Sequence, residues 1–234
     1  MELKFDGKTA LVTGAGKGIG RAVAIALQKG GAQTFALSRT QADLDTLKKE
    51  CPGIQTVTHD VSDWNSTREV VRGLGHVDLL VNNAGQFSHQ AFLDIEKEED
   101  VNMIFDTNYK AVVNISQVIA KGMVDRGTGG AIVNVSSLAS MIGAKGMTIY
   151  GSSKAAIDNL TKIRVNSVNP VVVFTRMGQW ARDPAKSEYL LQRIPLGKFA
   201  EIEDVTHAVL FLLSDKSAMI NGTSVPLEGG YLAC

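Results

Sequence analysis

The chain has 234 residues, 44% of them hydrophobic and 21% charged, enough apolar material for one large α/β core. Its 24 basic and 24 acidic residues cancel, which excludes a global field that would recruit nucleic acid or an anionic membrane. The cysteines, Cys51 and Cys234, supply neither a disulfide framework nor a metal-ligand spacing.

No apolar run approaches the ~18 residues of a membrane span. The opening "MELKFDGKTALV" lacks a basic stretch followed by an apolar one, so the expected setting is cytoplasmic.

The first predicted strand is "TALVT" (9–13), and a helical pattern over 19–30 follows it. "LVTGAGKGIGRAVAIAL" joins the two through a glycine turn. The spacing G-x-G-x-x-G fails, because Ile19 occupies the last glycine position. What fits is T-G-x-x-x-G-x-G, with Gly14, Gly18 and Gly20. Between a first strand and a first helix, such a turn lets the backbone approach a pyrophosphate at the helix N-terminus.

The second strand, "QTFALS" (33–38), ends in Ser38, Arg39 and Thr40, with no carboxylate before Asp43. An acid there would hold a ribose 2′-hydroxyl, whereas cations suit a 2′-phosphate. Arg39, with Lys17 in the glycine turn as a second charge, therefore points to NADPH rather than NADH.

A helix over 41–50, a strand "QTVTHD" (55–60) and a helix over 63–74 come next. The strand "DLLVNN" (78–83) runs into the small residues Ala84 and Gly85, which allow close backbone approach to a cofactor. A long helix is expected over 101–126. It contains Asn108, an unfavourable helix residue unless its amide has a partner.

The strand "AIVNVSS" (131–137) ends at Ser136 and Ser137, at the carboxyl edge where ligands bind in α/β sheets. Adjacent strand residues point to opposite faces; Ser137 is the chosen carbonyl-polarising residue and Ser136 the local alternative. The loop 138–148, from Leu138 past Met147, is mostly small and apolar and faces the substrate in this reading. His89 and Trp180 are further candidates for the pocket wall.

A helix over 150–160 carries Tyr150 and Lys154 one turn apart. A lysine ammonium beside a phenol favours the phenolate and brings its pKa toward the working range of a general acid/base. A strand over 163–169, a helix over 201–214 and a strand "TSVPL" (223–227) complete the series. The βαβ alternation, without linker or repeat, predicts one domain over 1–234: a Rossmann-like, doubly wound parallel sheet with helices on both faces.

"TGAGKGIG", "NNAG", Asn108, Ser137, Tyr150, Lys154, "VNSVNP" and "FLLSD…G…LEGG" occur in the order of the short-chain dehydrogenase/reductase superfamily, which the chain closely resembles from about Phe5 to Tyr231. The resemblance implies a tetrameric reductase with an Asn-Ser-Tyr-Lys tetrad. Tyr150 would be the general acid/base, Ser137 would polarise the carbonyl, and Lys154 would hold the nicotinamide ribose. Asn108 would fix a water of a proton relay. Asp60 and Val61 would meet the adenine, Asn83 the adenosine side, and Val173 and Thr175 the nicotinamide amide.

Within the superfamily, "SRTQADLDTLKKECPGI", "RIPLGKFAEIEDV" and "EGGYLAC" are similar to the NADPH-dependent L-xylulose (dicarbonyl) reductase group. This implies reduction of L-xylulose and of small α-dicarbonyls such as diacetyl. Other readings are an inactive relative acting through protein partners and an NAD-dependent alcohol or steroid dehydrogenase.

Two departures from the family pattern stand out. Val171 replaces the usual glycine after Asn169-Pro170. Lys162 also abuts Ile163, where the family's catalytic helix continues for roughly ten more residues. An αβ connection takes about 2–6 residues, so the helix is expected to stop near Asn159, with Thr161 and Lys162 making the turn. The half-helix removed is the part that packs between subunits in the family.

Overall fold

The computed structural model describes residues 3–158 and 164–233. Among these, seven strands form one parallel sheet in the order β3-β2-β1-β4-β5-β6-β7. They are β1 (Thr9–Thr13), β2 (Gln33–Ser38), β3 (Gln55–Thr58), β4 (Leu79–Asn82), β5 (Ala131–Val135), β6 (Arg164–Pro170) and β7 (Ser224–Leu227). The strand order reverses between β1 and β4, and at such a switch point the carboxyl ends of the strands leave a crevice.

The strands are apolar on both faces because both are covered. Ala10 and Val12 of β1, Ala36 of β2, Leu79 and Val81 of β4, and Val133 of β5 belong to one core. It is closed by Val23, Ala24 and Leu27 of α1 (Gly18–Lys29), Leu44 and Leu47 of α2 (Gln41–Glu50), and Val205, Val209 and Leu212 of α8 (Ile202–Leu213). The alternating residues Leu11, Phe35, Leu37, Leu80 and Ile132 face a second core. That core contains Val71 of α3 (Trp64–Gly73) and Ala111, Ile115, Ile119 and Met123 of α5 (Ala111–Arg126).

Helix ends follow local chemistry. Asp63 accepts the Ser66 N–H at 3.0 Å and starts α3. Glu201 and Asp204 form a capping box at the start of α8. At the other end of α8, Arg164 donates to the carbonyls of Leu212 (2.8 Å), Leu213 (3.3 Å) and Ser214 (3.3 Å). This pins the beginning of β6 beneath a helix C-terminus that favours a cation.

The single helix expected over 101–126 is instead α4 (Glu98–Phe105), a π-helical turn (Asp106–Lys110) and α5. The predicted strands 55–60 and 131–137 end earlier, at Thr58 and Val135, with His59, Asp60, Ser136 and Ser137 lining the crevice. A further helix, α7 (Pro184–Leu191), was not expected. Asp183 caps it through the Ala185 N–H at 3.1 Å, with Pro184 in the first turn.

The tyrosine and lysine lie on α6 (Thr148–Ile157). The end expected for that helix near Asn159, the turn at Thr161-Lys162 and the strand start at Ile163 fall outside the described residues. No helix among the described residues is long and apolar enough to cross a membrane.

Candidate active site

The glycine turn fits a group that needs bare backbone. Gly14 and Gly18 have φ of +64° and +58°, the left-handed region that a side chain disfavours. A Cβ on Gly14 would lie 2.8 Å from Ala84 Cα, and one on Gly20 would lie 2.3 Å from Asn83 Nδ2. Asn83 is the buttress: its Nδ2 donates to the carbonyls of Thr13 (3.0 Å) and Gly14 (3.1 Å). Thr13 Oγ1 in turn accepts the N–H groups of Asn83 and Ala84, both at 3.0 Å. Thus "NNAG" holds the turn from behind. Arg21 adds a lashing that the sequence reading missed, through the carbonyls of Gly16 (3.1 Å) and Asp43 (3.2 Å). The first turn of α1 has no acidic residue to oppose an anion.

At the ends of β2 and β3, Ser38, Arg39, Thr40, Asp60 and Val61 line the same cavity as Gly14, Lys17, Gly18 and Ile19. Lys17 is not free: its Nζ lies 2.7 Å from Asp43 Oδ2. Arg39 is exposed on the rim. Burial pushes the Asp60 carboxyl up, but hydrogen bonds from Ser62 and the nearby Arg39 charge outweigh it and leave the pKa below the usual value. A bare glycine cradle and a protruding guanidinium with no carboxylate at the end of β2 are the donor set a dinucleotide with a 2′-phosphate requires.

Ser136 and Ser137 diverge as strand alternation demands. Ser136 Oγ donates to the Lys154 carbonyl at 3.3 Å. Ser137 Oγ accepts the Ala139 N–H at 3.1 Å, and Ser137 lines the same cavity as Tyr150. The turn carrying Ser137 is held by Asn169, whose Nδ2 donates to Ser137 O (3.3 Å), Ser140 Oγ (2.8 Å) and Asp158 Oδ2 (3.2 Å).

Tyr150 is buried, and burial pushes its phenol above the ordinary value while Ser137 pulls the other way. The protein's own groups therefore hold the tyrosine neutral, instead of lowering its pKa as the Tyr-x-x-x-Lys spacing suggested. Lys154 is buried as well. Its Nζ donates to Val135 O at 2.8 Å and sits 5.9 Å from the Tyr150 ring centroid. Burial lowers the lysine to about 8, with Asp158 opposing.

Asn108 is fully buried in the π turn. Its Oδ1 accepts the Gln86 N–H at 2.7 Å, and its Nδ2 donates to Gln86 O (2.9 Å) and Ser153 Oγ (3.1 Å). The amide expected to need a partner has three.

One cavity of about 1060 Å³ runs from the glycine turn past Tyr150. Leu138, Met147, His89 and Trp180 line it, as do Val173 and Thr175 beyond β6. Thr175 Cγ2 lies 3.2 Å from where a Cβ on Gly18 would stand. Phe87 went unrecognised in the sequence: it meets Tyr150 edge-on at 5.1 Å and stacks on Trp180 at 6.2 Å. Its position just after "NNAG" was the available signal. Val171 is buried in a satellite cluster with Leu138, Ile194, Phe199 and Tyr231, so the residue in the usual glycine position fills a wall.

A family model described as "Enoyl-(Acyl carrier protein) reductase" matches residues 14–232. An L-xylulose reductase from Bos taurus is 52% identical, with 100% of both chains covered. The chain belongs to the short-chain dehydrogenase/reductase family. That alignment spans 244 positions against 234 residues here, leaving ten without a counterpart in this chain. Carbonyl reductase [NADPH] 2 of Sus scrofa is 47% identical, again over 100% of both chains. A solved structure of a gluconate 5-dehydrogenase from Burkholderia cenocepacia J2315, in complex with NADP and tartrate, superposes with a TM-score of 0.92. It is 28% identical, over 100% of this chain and 98% of that one. Members of this family fold as the Rossmann-like sheet described above.

Proposed function

We propose that the chain is an NADPH-dependent carbonyl reductase acting on small ketones, on α-dicarbonyls such as diacetyl, and on L-xylulose, which it reduces to xylitol. The observation that carries this reading is that Ser137 and Tyr150 line one cavity together with the glycine turn and Arg39. The relatives named for L-xylulose and NADPH-dependent carbonyl reduction support it over the full chain.

When bound, NADPH supplies the hydride. Gly14 and Gly18 would receive its pyrophosphate, Gly20 being packed on Asn83 rather than lining the cavity, and Arg39, helped by Lys17, would receive its 2′-phosphate. Ser137 accepts from Ala139, which leaves its own O–H to donate to the substrate carbonyl. Tyr150 delivers the proton to the same oxygen; burial keeps its phenol protonated through neutral pH, as an acid in the reductive direction must be. Lys154 stands behind the tyrosine as a buried donor for the ribose and a source of proton replacement. Asn108 holds the Gln86 backbone and Ser153 in place, a positioning role.

We further propose that residues 1–234 act as one domain, that the setting is cytoplasmic, and that the chain assembles as a homotetramer. A particle about four times the 25.0 kDa chain mass by light scattering supports assembly, and a monomer contradicts it.

The test is a turnover screen with NADPH and NADH over diacetyl and L-xylulose. Faster oxidation of NADPH with either carbonyl supports the reading. No turnover, or turnover with NADH at least as fast, overturns it.

A further inference from the structure

We propose that the substrate end of the cavity selects carbonyl compounds that carry a carboxylate away from the reacting carbonyl. The inference rests on the carbonyl-reductase reading and names a substrate class for the same site.

Among the described residues, the charges that line this end are of one sign. Lys145, in the loop before α6, and Lys186, on α7, line the cavity, and their side chains make no hydrogen bond or ion pair among the described residues. Arg193, just past α7, also lines it. Its Nη1 donates to Tyr189 OH at 3.0 Å and its guanidinium lies 4.8 Å from the Tyr231 ring centroid. Neither partner is a carboxylate, and Arg193 makes no ion pair among the described residues.

The nearby carboxylates are turned to local partners. Asp183 caps α7 through the Ala185 N–H, Glu188 accepts from Gln192, and Glu228 accepts the Leu232 N–H. None of them lines the cavity, whose one acid among the described lining residues is Asp60, at the β3 end.

The walls between the cations and Tyr150 are largely apolar, through Phe87, Ile142, Met147, Trp180 and Leu190. The Gln86 side-chain amide is committed to Thr107 Oγ1 at 3.0 Å. A polyhydroxylated substrate finds few partners for its hydroxyls there, and a desolvated hydroxyl without a partner is costly. An apolar body ending in a carboxylate matches both features. Apolar walls also lengthen the reach of the rim charges. The cations are exposed, so the preference must shrink as salt screens it over a Debye length of ~10 Å at ~0.1 M.

Levulinate and methyl levulinate share the same ketone and differ in one charge and an ester methyl, so their ratio of kcat/KM with NADPH and its dependence on salt report the effect of the charge. The expected ratio is about tenfold in favour of the acid at low salt, falling toward one at high salt. In Lys145→Gln/Lys186→Gln, and further with Arg193→Gln, the ratio should fall toward one already at low salt. Independently of turnover, octanoate should raise the melting temperature of the NADP+-loaded protein more than octanol does. Diacetyl turnover with an acid-to-ester ratio at or below one, or an octanoate shift no larger than that of octanol, overturns the inference and leaves the reductase reading standing. Failure to oxidise NADPH with diacetyl, L-xylulose, levulinate or its ester overturns both.

Discussion

Asn108 clasps Gln86 by both of its backbone groups, accepting the N–H at 2.7 Å and donating to the carbonyl at 2.9 Å. The clasp joins the π turn between α4 and α5 to the segment after β4, and the next residue, Phe87, packs edge-on against Tyr150. A helix interior is a poor place for asparagine, and π turns recur at functional sites. Here the irregularity accompanies an anchor for the tyrosine's neighbour.

Asn108→Ala strips partners from Gln86 and Ser153, so stability should fall by about 2–4 kcal/mol in urea denaturation. Because the residue positions the wall beside Tyr150, kcat should fall as well, by more than KM rises. Loss of stability with unchanged kcat would make Asn108 a purely structural residue.

Lys154 gives a prediction with a definite sign. An unfolded chain keeps the lysine proton up to about 10.5, the folded one only to about 8. Between these values the unfolded state binds more protons, so stability rises with pH across that window. Below it, the buried ammonium costs the fold roughly 3 kcal/mol, offset by about 1 kcal/mol for its bond to Val135 O. Lys154→Met should lose activity yet resist denaturant better than the parent near pH ~7, and the gap should close toward pH ~10. Denaturant melts of both proteins at the two pH values check this. A gap that does not change with pH contradicts it.

The cofactor preference should reside mainly in Arg39. Losing its bonds to a phosphate in Arg39→Ala should weaken NADPH binding by about 10- to 100-fold and leave NADH nearly untouched. Lys17→Ala should do less, because Lys17 is already tied to Asp43 at 2.7 Å. Fluorescence titration with both nucleotides measures the two effects. Equal weakening of NADPH and NADH by Arg39→Ala would remove the arginine from phosphate recognition.

Much of the architecture was legible because buried parallel strands leave unbroken apolar runs: β1 and β2 fall on the predicted residues, and the other strands differ at their ends. The ends were harder, since His59-Asp60 and Ser136-Ser137 directly continue β-rich runs but leave the ladder to line the crevice. The π turn was invisible because a one-residue insertion into a helix leaves the apolar period nearly intact, although the placement of Asn108 hinted at it. α7 carried an overlooked signal, Asp183 followed by Pro184. The substrate wall was least legible. Phe87, Val171 and Tyr231 come from three distant segments, and only tertiary packing brings them around Tyr150 and Leu138. The Lys162–Ile163 junction, the clearest departure from the family pattern, lies outside the described residues, and the ten unmatched positions against the bovine relative agree with a shorter chain.

The central claim is that Tyr150 is the proton donor for NADPH-dependent carbonyl reduction. Its most direct test is kcat for diacetyl with NADPH in Tyr150→Phe, a change that keeps the ring packed on Phe87 and removes only the hydroxyl. The expected result is a fall of at least about 100-fold with NADPH affinity preserved. A variant that reduces diacetyl as fast as the parent would contradict the account.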